Sequence, residues 1–317
     1  MVTPTVIVTG GAGFIGSHLT EALLQKKYRV IVLDIKKPDG SYFFSNHLDE
    51  QSDYRIVDIR DKEKVEEVFT ATNPSYVIHL AAQPIVTDAY DNPHETFDTN
   101  VMGSVNILEA CRHTPSIKRI IVASSDKAYG KMKDVYTEDS PLQGDHPYDV
   151  SKTCEDLIAQ TYFTTYKTPV IITRFGNVYG EGDMHFDRII PGMCESLVRN
   201  SVLQIRSDGT YVRDYVYVRD VVDGYMFLLE TKKPVEGEAF NFSSDDSYSV
   251  VDLITLVEKS LGKKIQFTIV NSARNEIPYQ HLNDTKIRKL GWKSSFSINA
   301  SIAGVYAWYE QYLKELK

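Results

Sequence analysis

Apolar and polar positions along the chain follow two alternating periods. Short apolar runs at Val6-Ile7-Val8, Val30-Ile31-Val32-Leu33, Arg55-Ile56-Val57, Tyr76-Val77-Ile78-His79-Leu80, Arg119-Ile120-Ile121-Val122-Ala123 and Val170-Ile171-Ile172-Thr173 read as strands. Segments with helical spacing separate them. Residues 17–27 are amphipathic, and in 62–71 Val65, Val68 and Phe69 share a face with Asp61 placed to cap. Residues 96–112 repeat Phe97, Val101, Val105 and Leu108 as one long helix, and 149–166 forms another, stopped near Pro169. The polar stretch 36–52, with its Pro38-Asp39-Gly40 turn, reads as a loop. Repeated strand–helix units predict an α/β fold, a doubly wound parallel sheet with right-handed crossovers.

Past Tyr179 the texture changes. Residues 180–187 are glycine-rich and acidic, 187–199 read as a helix, 211–218 as a strand, 221–230 as a helix and 239–242 as a strand. Further helices are expected at 250–261, at 284–290 and around Ile302, Val305, Tyr306 and Tyr309. The expectation is a first domain over 1–179 with segments near 218–243 returning to it. Residues 180–317 then form a smaller α+β region over its ligand edge.

The first turn carries specific chemistry. Thr9-Gly10-Gly11-Ala12-Gly13-Phe14-Ile15-Gly16 lies between a strand and a helix, the context in which glycines at this spacing bind a dinucleotide. Gly10 permits the tight turn, Gly13 lets backbone approach a pyrophosphate, and Gly16 lets helix pack on strand. The free N–H groups of the helix start face the phosphates. Asp34 ends the second strand, where a carboxylate accepts the ribose hydroxyls and repels a 2′-phosphate. The expected cofactor is therefore NAD, and 1–179 is its Rossmann domain. The small residues Ala81 and Ala82, at the carboxyl end of a strand, leave room for a bound ring or sugar.

Composition narrows the partners. The 317 residues carry a net charge of −8 with 25% charged residues and 42% hydrophobic, which suits a globular chain and disfavours nucleic acid. Cys111, Cys154 and Cys194 have no metal or disulfide spacing, so no metal is expected and a reduced, cytoplasmic setting is. No apolar run approaches the ~20 residues needed to span a bilayer, and the early strand leaves no room for a signal peptide.

Tyr148 and Lys152 lie four apart at a helix start and share a face. A phenol titrates near ~10. A close ammonium and a cationic nicotinamide favour the phenolate, so Tyr148 is the expected base.

These motifs resemble the extended short-chain dehydrogenase/reductase family. The resemblance rests on the glycine turn, Asp34, Asp58-Ile59, His79-Leu80-Ala81-Ala82-Gln83, Ser124-Ser125, Tyr148-x-x-x-Lys152, Arg174-Phe175-Gly176-Asn177-Val178-Tyr179-Gly180 and Arg213-Asp214-Tyr215-Val216-Tyr217-Val218. It implies a nucleotide-diphosphate sugar as substrate. It assigns Ser125 and Tyr148 to the sugar 4-hydroxyl and Lys152 to the nicotinamide ribose. Gly10, Gly13, Phe14, Ile15, Gly16, Asp34, Asp58, Ile59, Leu80, Ala81, Ala82 and Asn100 would contact the cofactor. Gln83, Asn177, Arg188, Arg213 and Arg274 would contact the substrate. The matching long helices of the family form a dimer four-helix bundle, which implies a homodimer.

Asp126 and Lys127 select the branch. The 4-epimerases of the family usually have small or neutral residues there, whereas an Asp-Lys pair resembles the 4,6-dehydratase branch, most closely its CDP-glucose form. Once C4 is a ketone, the C5 proton is acidic, and eliminating water across C5–C6 needs an acid at O6 and a base at C5. Asp126, protonated by desolvation, would be the acid; Lys127, neutral by desolvation or a nearby cation, the base. The segment 213–218 is closer to epimerases and thymidine-type dehydratases, and Ala128-Tyr129-Gly130 departs from the CDP-type continuation. The nucleotide base is thus open among CDP, dTDP, UDP and GDP. A 4-epimerase is the alternative reading, and a non-catalytic nucleotide-binding regulatory protein is the alternative of another class.

Overall fold

A computed structural model describes residues 3–37, 40–132, 134–272, 277 and 279–315. Seven parallel strands form the central sheet, in the order Ala239–Phe242, Val170–Phe175, Arg119–Ala123, Tyr76–His79, Thr5–Thr9, Arg29–Asp34 and Asp53–Ile56. The apolar runs are continuous because both faces are covered. Alternate residues feed two cores. Val6, Val8, Ile78, Ile121 and Ile171 pack with Leu19, Leu23, Val221 and Tyr225 on one face. Ile7, Ile31, Val77, Ile120 and Val122 pack with Val65, Phe69, Ile107 and Leu108 on the other.

The order reverses at Thr5–Thr9. The chain leaves it for Arg29–Asp34 on one side and later takes up Tyr76–His79 on the other. Such a switch opens a crevice at the carboxyl ends of the strands, where ligands of open α/β sheets bind.

Two local expectations are corrected. The stretch 36–52 is not all loop: it contains single-turn helices Tyr42–Ser45 and Leu48–Gln51. Phe43 is fully buried and Leu48 nearly so, and their packing outweighs the polar composition around them. The helix of 96–112 begins earlier, at Pro93–Phe97, and passes through a π turn at Asp98–Gly103 before Ser104–Arg112. A Cβ on Gly103 would lie 2.5 Å from Ile59 Cδ1, so the turn sits directly against the Asp58-Ile59 loop. A wider turn in a helix commonly marks a functional position.

A third core lies beyond the sheet, where Tyr179, Ile190, Met193, Leu253, Ile254, Ile302 and Val305 pack together. Here Val212–Tyr217 pairs in parallel with Asn177–Tyr179 and Tyr279–Gln280, and antiparallel with Ser247–Ser249. Ala239–Phe242 lies back in the central sheet, paired with Val170–Phe175.

Arg174 ties strand Val170–Phe175 to helix Pro147–Tyr166 and to the segment 129–138. It is 1% exposed, and its guanidinium donates to Asp156 at 2.8 and 2.9 Å, to the Tyr129 hydroxyl at 2.7 Å and to the Glu138 carbonyl at 3.2 Å. Removing one partner of a buried pair strands the other charge. Arg174→Ala is expected to cost about 3–5 kcal/mol of stability, read as a lower urea midpoint. An unchanged midpoint would show that Asp156 finds another partner.

Candidate active site

The glycine turn has the geometry its sequence requires. Gly10 has φ +66°, and a Cβ there would lie 2.8 Å from Ala81 N. A Cβ on Gly16 would lie 2.2 Å from Gly10 O. Around Gly13 the nearest atom to an added Cβ is Gly10 O at 3.2 Å, so its outer side is open to a ligand. Helix Phe14–Gln25 starts at Gly13 with no side chain capping its N–H groups, which leaves the Phe14 and Ile15 end free for phosphate. Asp34 stands beside it and accepts from Ala12 N at 3.2 Å and Ile35 N at 2.9 Å. Burial raises its carboxyl against those two bonds.

The other wall is the segment after Tyr76–His79. Leu80 N and Ala81 N both donate to Thr9 Oγ1 at 3.2 Å, tying the two switch-point strands together. Asn100, in the π turn, accepts from Gln83 N at 2.7 Å and donates to Gln83 O at 3.1 Å and Ser151 Oγ at 2.9 Å. Asn100 is fully buried with its amide engaged on both sides, and it shapes the 80–83 wall. Asp58 is held by Arg60 at 2.6 Å and Ile59 is buried beside Gly103.

Ser125, Asp126 and Lys127 follow strand Arg119–Ala123. They form a single 3₁₀ turn, Asp126–Tyr129, capped by Ser125 Oγ, which accepts from Lys127 N at 3.2 Å. The Ser125 hydroxyl donates to Asp126 Oδ1 at 3.1 Å. Asp126 is 5% exposed. Burial pushes its carboxyl up, against the pull of Lys127, Ser125 and Arg213. Gln280 completes the group: its Nε2 donates to Asp126 Oδ2 at 3.1 Å, and its Oε1 accepts from Lys127 Nζ. Nothing in the local sequence points to Gln280, which reaches the site only because Arg213↔Gln280 is a register pair. Asp214 pins that segment, accepting from His281 Nδ1 at 2.7 Å, Leu282 N at 2.8 Å and Ser243 Oγ at 2.8 Å. The bond to Asp214 holds the His281 imidazole above its ordinary range.

Helix Pro147–Tyr166 supplies Tyr148 and Lys152. Lys152 Nζ donates to Ala123 O at 2.9 Å and to Glu155 at 2.7 Å. The expected lowering of the Tyr148 phenol is opposed in the free protein. Burial raises it, Lys152 and Arg188 pull it down, Glu155 and Asp126 add to the rise, and the net direction is up.

The substrate candidates stand around this group. Among the described residues, Gln83 Oε1 and Ser124 Oγ are buried with no hydrogen-bond partner. Asn177 Nδ2 donates to Asp214 O at 3.4 Å, and Arg188 pairs with Asp183 at 3.1 Å. Arg213 is buried, donating to Val212 O at 2.9 Å with its guanidinium over Tyr211. Arg274 lies outside the described residues.

The fold and the open glycine cradle define a dinucleotide-binding protein with a cluster of ionisable side chains at the sheet's carboxyl edge. The chain belongs to the NAD dependent epimerase/dehydratase family, whose model matches residues 6–243. It is similar to human dTDP-D-glucose 4,6-dehydratase, 30% identical over 319 residues that cover 96% of this chain and 90% of that protein. It is also similar to CDP-glucose 4,6-dehydratase of Salmonella typhimurium, 29% identical over 328 residues covering 98% and 91%. Among solved structures, UDP-glucuronic acid 4-epimerase from Bacillus cereus, in complex with UDP-glucuronic acid and NAD, matches with TM-score 0.89 at 27% identity, covering 97% of this chain and 99% of that one. NAD is the cofactor, and the uncapped helix start, the open face of Gly13 and the Asp34 carboxylate fit it.

Proposed function

We propose that this chain is a nucleotide-sugar 4,6-dehydratase that converts an NDP-hexose, with CDP-glucose favoured, to the NDP-4-keto-6-deoxy sugar. The observation that carries the reading is the Ser125–Asp126–Gln280–Lys127 chain of hydrogen bonds, centred on the buried Asp126 and Gln280. When bound, NAD supplies the hydride acceptor for C4 and the donor for C6. The residues do the rest. Tyr148 takes the 4-hydroxyl proton, with Ser125 as its partner at that oxygen and Lys152 fixing charge beneath it. Asp126, its carboxyl raised by burial, holds a proton for the departing 6-hydroxyl. Lys127 takes the C5 proton. Gln280 keeps acid and base apart and oriented to neighbouring carbons. Gln83, Asn177, Arg188, Arg213 and Arg274 are the candidates for holding the nucleotide sugar.

A 4-epimerase is the second reading. The Bacillus cereus structure favours it, because C4 oxidation needs only Ser125, Tyr148, Lys152 and NAD. Incubation with a panel of NDP-hexoses, followed by mass and by C5 exchange in deuterium oxide, separates the two. Loss of water with C5 exchange supports the dehydratase. Interconversion at C4 with neither supports the epimerase. The panel also identifies the base.

The assembly we infer is a homodimer, in a cytoplasmic enzyme; no described helix is long and apolar enough to cross a membrane. Met102 and Leu157 are 50% and 48% exposed on the two long helices, apolar positions that a second copy would cover. Light scattering at micromolar concentration is expected to give twice the 36.0 kDa chain mass, and Leu157→Glu to give the single mass. A monomeric wild type would refute the dimer.

A further inference from the structure

Glu155 has no task in the reaction above, yet it is a carboxylate 1% exposed, one turn beyond Lys152. Its Oε2 accepts from Lys152 Nζ at 2.7 Å. Ser104 Oγ donates its one proton chiefly to Asn100 O at 2.7 Å and approaches Glu155 Oε1 at 3.3 Å, with His79 Nε2 3.8 Å away. A carboxylate so placed needs a reason, because burial disfavours its charge.

The surrounding bonds fix what it receives. Thr9 Oγ1 already accepts two backbone N–H groups, so its own proton goes to His79 Nδ1 at 2.7 Å. His79 is thereby the Nε2–H tautomer and donates to Ser104 Oγ at 2.9 Å. Burial, and then the Lys152 charge, lower His79 to about 3, so it is neutral across physiological pH. The chain Thr9–His79–Ser104 therefore ends mainly on Asn100 O and brings Glu155 no second cation. Asp156, next along the helix, is engaged by Arg174. The countercharge facing Glu155 is the Lys152 ammonium. Burial opposes that ammonium, but Glu155 and Tyr148 hold it above its ordinary range.

We propose that Glu155 is a positioning residue for the C4 oxidation. It clamps Lys152 between its own carboxylate and the Ala123 carbonyl, leaving the third ammonium N–H for the site. It also offsets part of the Lys152 charge as felt by Tyr148, and so sets the pH at which Tyr148 becomes a base. Tyr148 feels Lys152 and Arg188 in one direction and Glu155 and Asp126 in the other. The proposal rests on Tyr148 being the C4 base, which dehydratase and epimerase readings share.

Glu155→Gln removes the charge and keeps an oxygen that can accept from Lys152. The acid limb of the C4 oxidation rate, followed at the nicotinamide band in the holoenzyme, is expected to move about one pH unit lower. Below the wild-type limb that makes the variant up to about tenfold faster. A limb that stays in place, with only the maximum changed, overturns the proposal. Activity in Tyr148→Phe would instead overturn the reading beneath it.

A second measurement needs no turnover. Burial already raises the Glu155 carboxyl, with Lys152 first among the groups that hold it down; Lys152→Met removes that opposing charge and lifts the folded-state pKa further above the unfolded one. Stability of that variant is expected to be retained at low pH and lost as pH rises through the raised value. Adding Glu155→Gln is expected to flatten the profile and restore the neutral-pH melting temperature. A Lys152→Met profile that falls with pH no more steeply than wild type, or a double variant without rescue, overturns the clamp.

Discussion

Asp126→Asn is expected to separate oxidation at C4 from loss of water. The substitution keeps the side chain's shape and its place beside Ser125, but an amide has no proton to release to the departing 6-hydroxyl. On adding substrate, absorbance in the reduced-nicotinamide band should still rise, because Ser125, Tyr148 and Lys152 are untouched. Formation of the 4-keto-6-deoxy sugar, followed by mass, should fall about 10²–10⁴-fold, the usual consequence of a lost general acid. The pH dependence carries its own sign. Burial raises the Asp126 carboxyl, so the acid is competent above the ordinary carboxylate range and is lost as pH rises through the raised value. C4 oxidation, which needs the Tyr148 phenolate, responds to pH with the opposite sign and gains as pH rises. Asp126→Asn should remove the falling limb of elimination. Lys127→Ala should slow C5 exchange with solvent deuterium while C4 oxidation continues. Elimination by Asp126→Asn at the wild-type rate would remove Asp126 from the chemistry and leave the fold assignment standing.

What could be read in the residues themselves follows from how local each signal is. The glycine turn was legible because one short loop holds all its parts, and Gly10, Gly13 and Gly16 each have the close or open surroundings that their spacing implies. The parallel sheet was legible because strands buried on both faces are continuous apolar runs. The π turn was not. Its cause is the contact of Gly103 with Ile59 and the Asn100 bonds to Gln83 and Ser151, which connect separate segments. The two helical turns within 36–52 likewise depend on where Phe43 and Leu48 are buried. Gln280 lies 154 residues from Asp126, and only the pairing of Tyr279–Gln280 with Val212–Arg213 brings it there. Glu155 was in plain view beside Lys152, but its burial and the neutral His79 and Ser104 side chains beside it belong to the packed structure.

Tyr148→Phe is expected to stop the reaction before it divides. The change deletes one oxygen from a half-buried ring, so the melting temperature should stay close to wild type. Among the described residues, the two groups proposed to flank the sugar 4-hydroxyl are already engaged: Ser125 Oγ donates to Asp126, and Lys152 Nζ donates to Glu155 and Ala123. Without the Tyr148 phenol, C4 oxidation should fall by at least the 10²–10⁴-fold of a lost general base, and elimination with it, since the C5 proton is acidic only beside a C4 ketone. That common loss distinguishes this variant from Asp126→Asn, where only the second step fails. Supplying the 4-keto sugar directly tests the order of events. Tyr148→Phe should still exchange the C5 proton of the ketone with solvent deuterium through Lys127, because that step follows the one Tyr148 serves. Exchange lost equally from the supplied ketone would mean that Tyr148, not Lys127, is the base at C5.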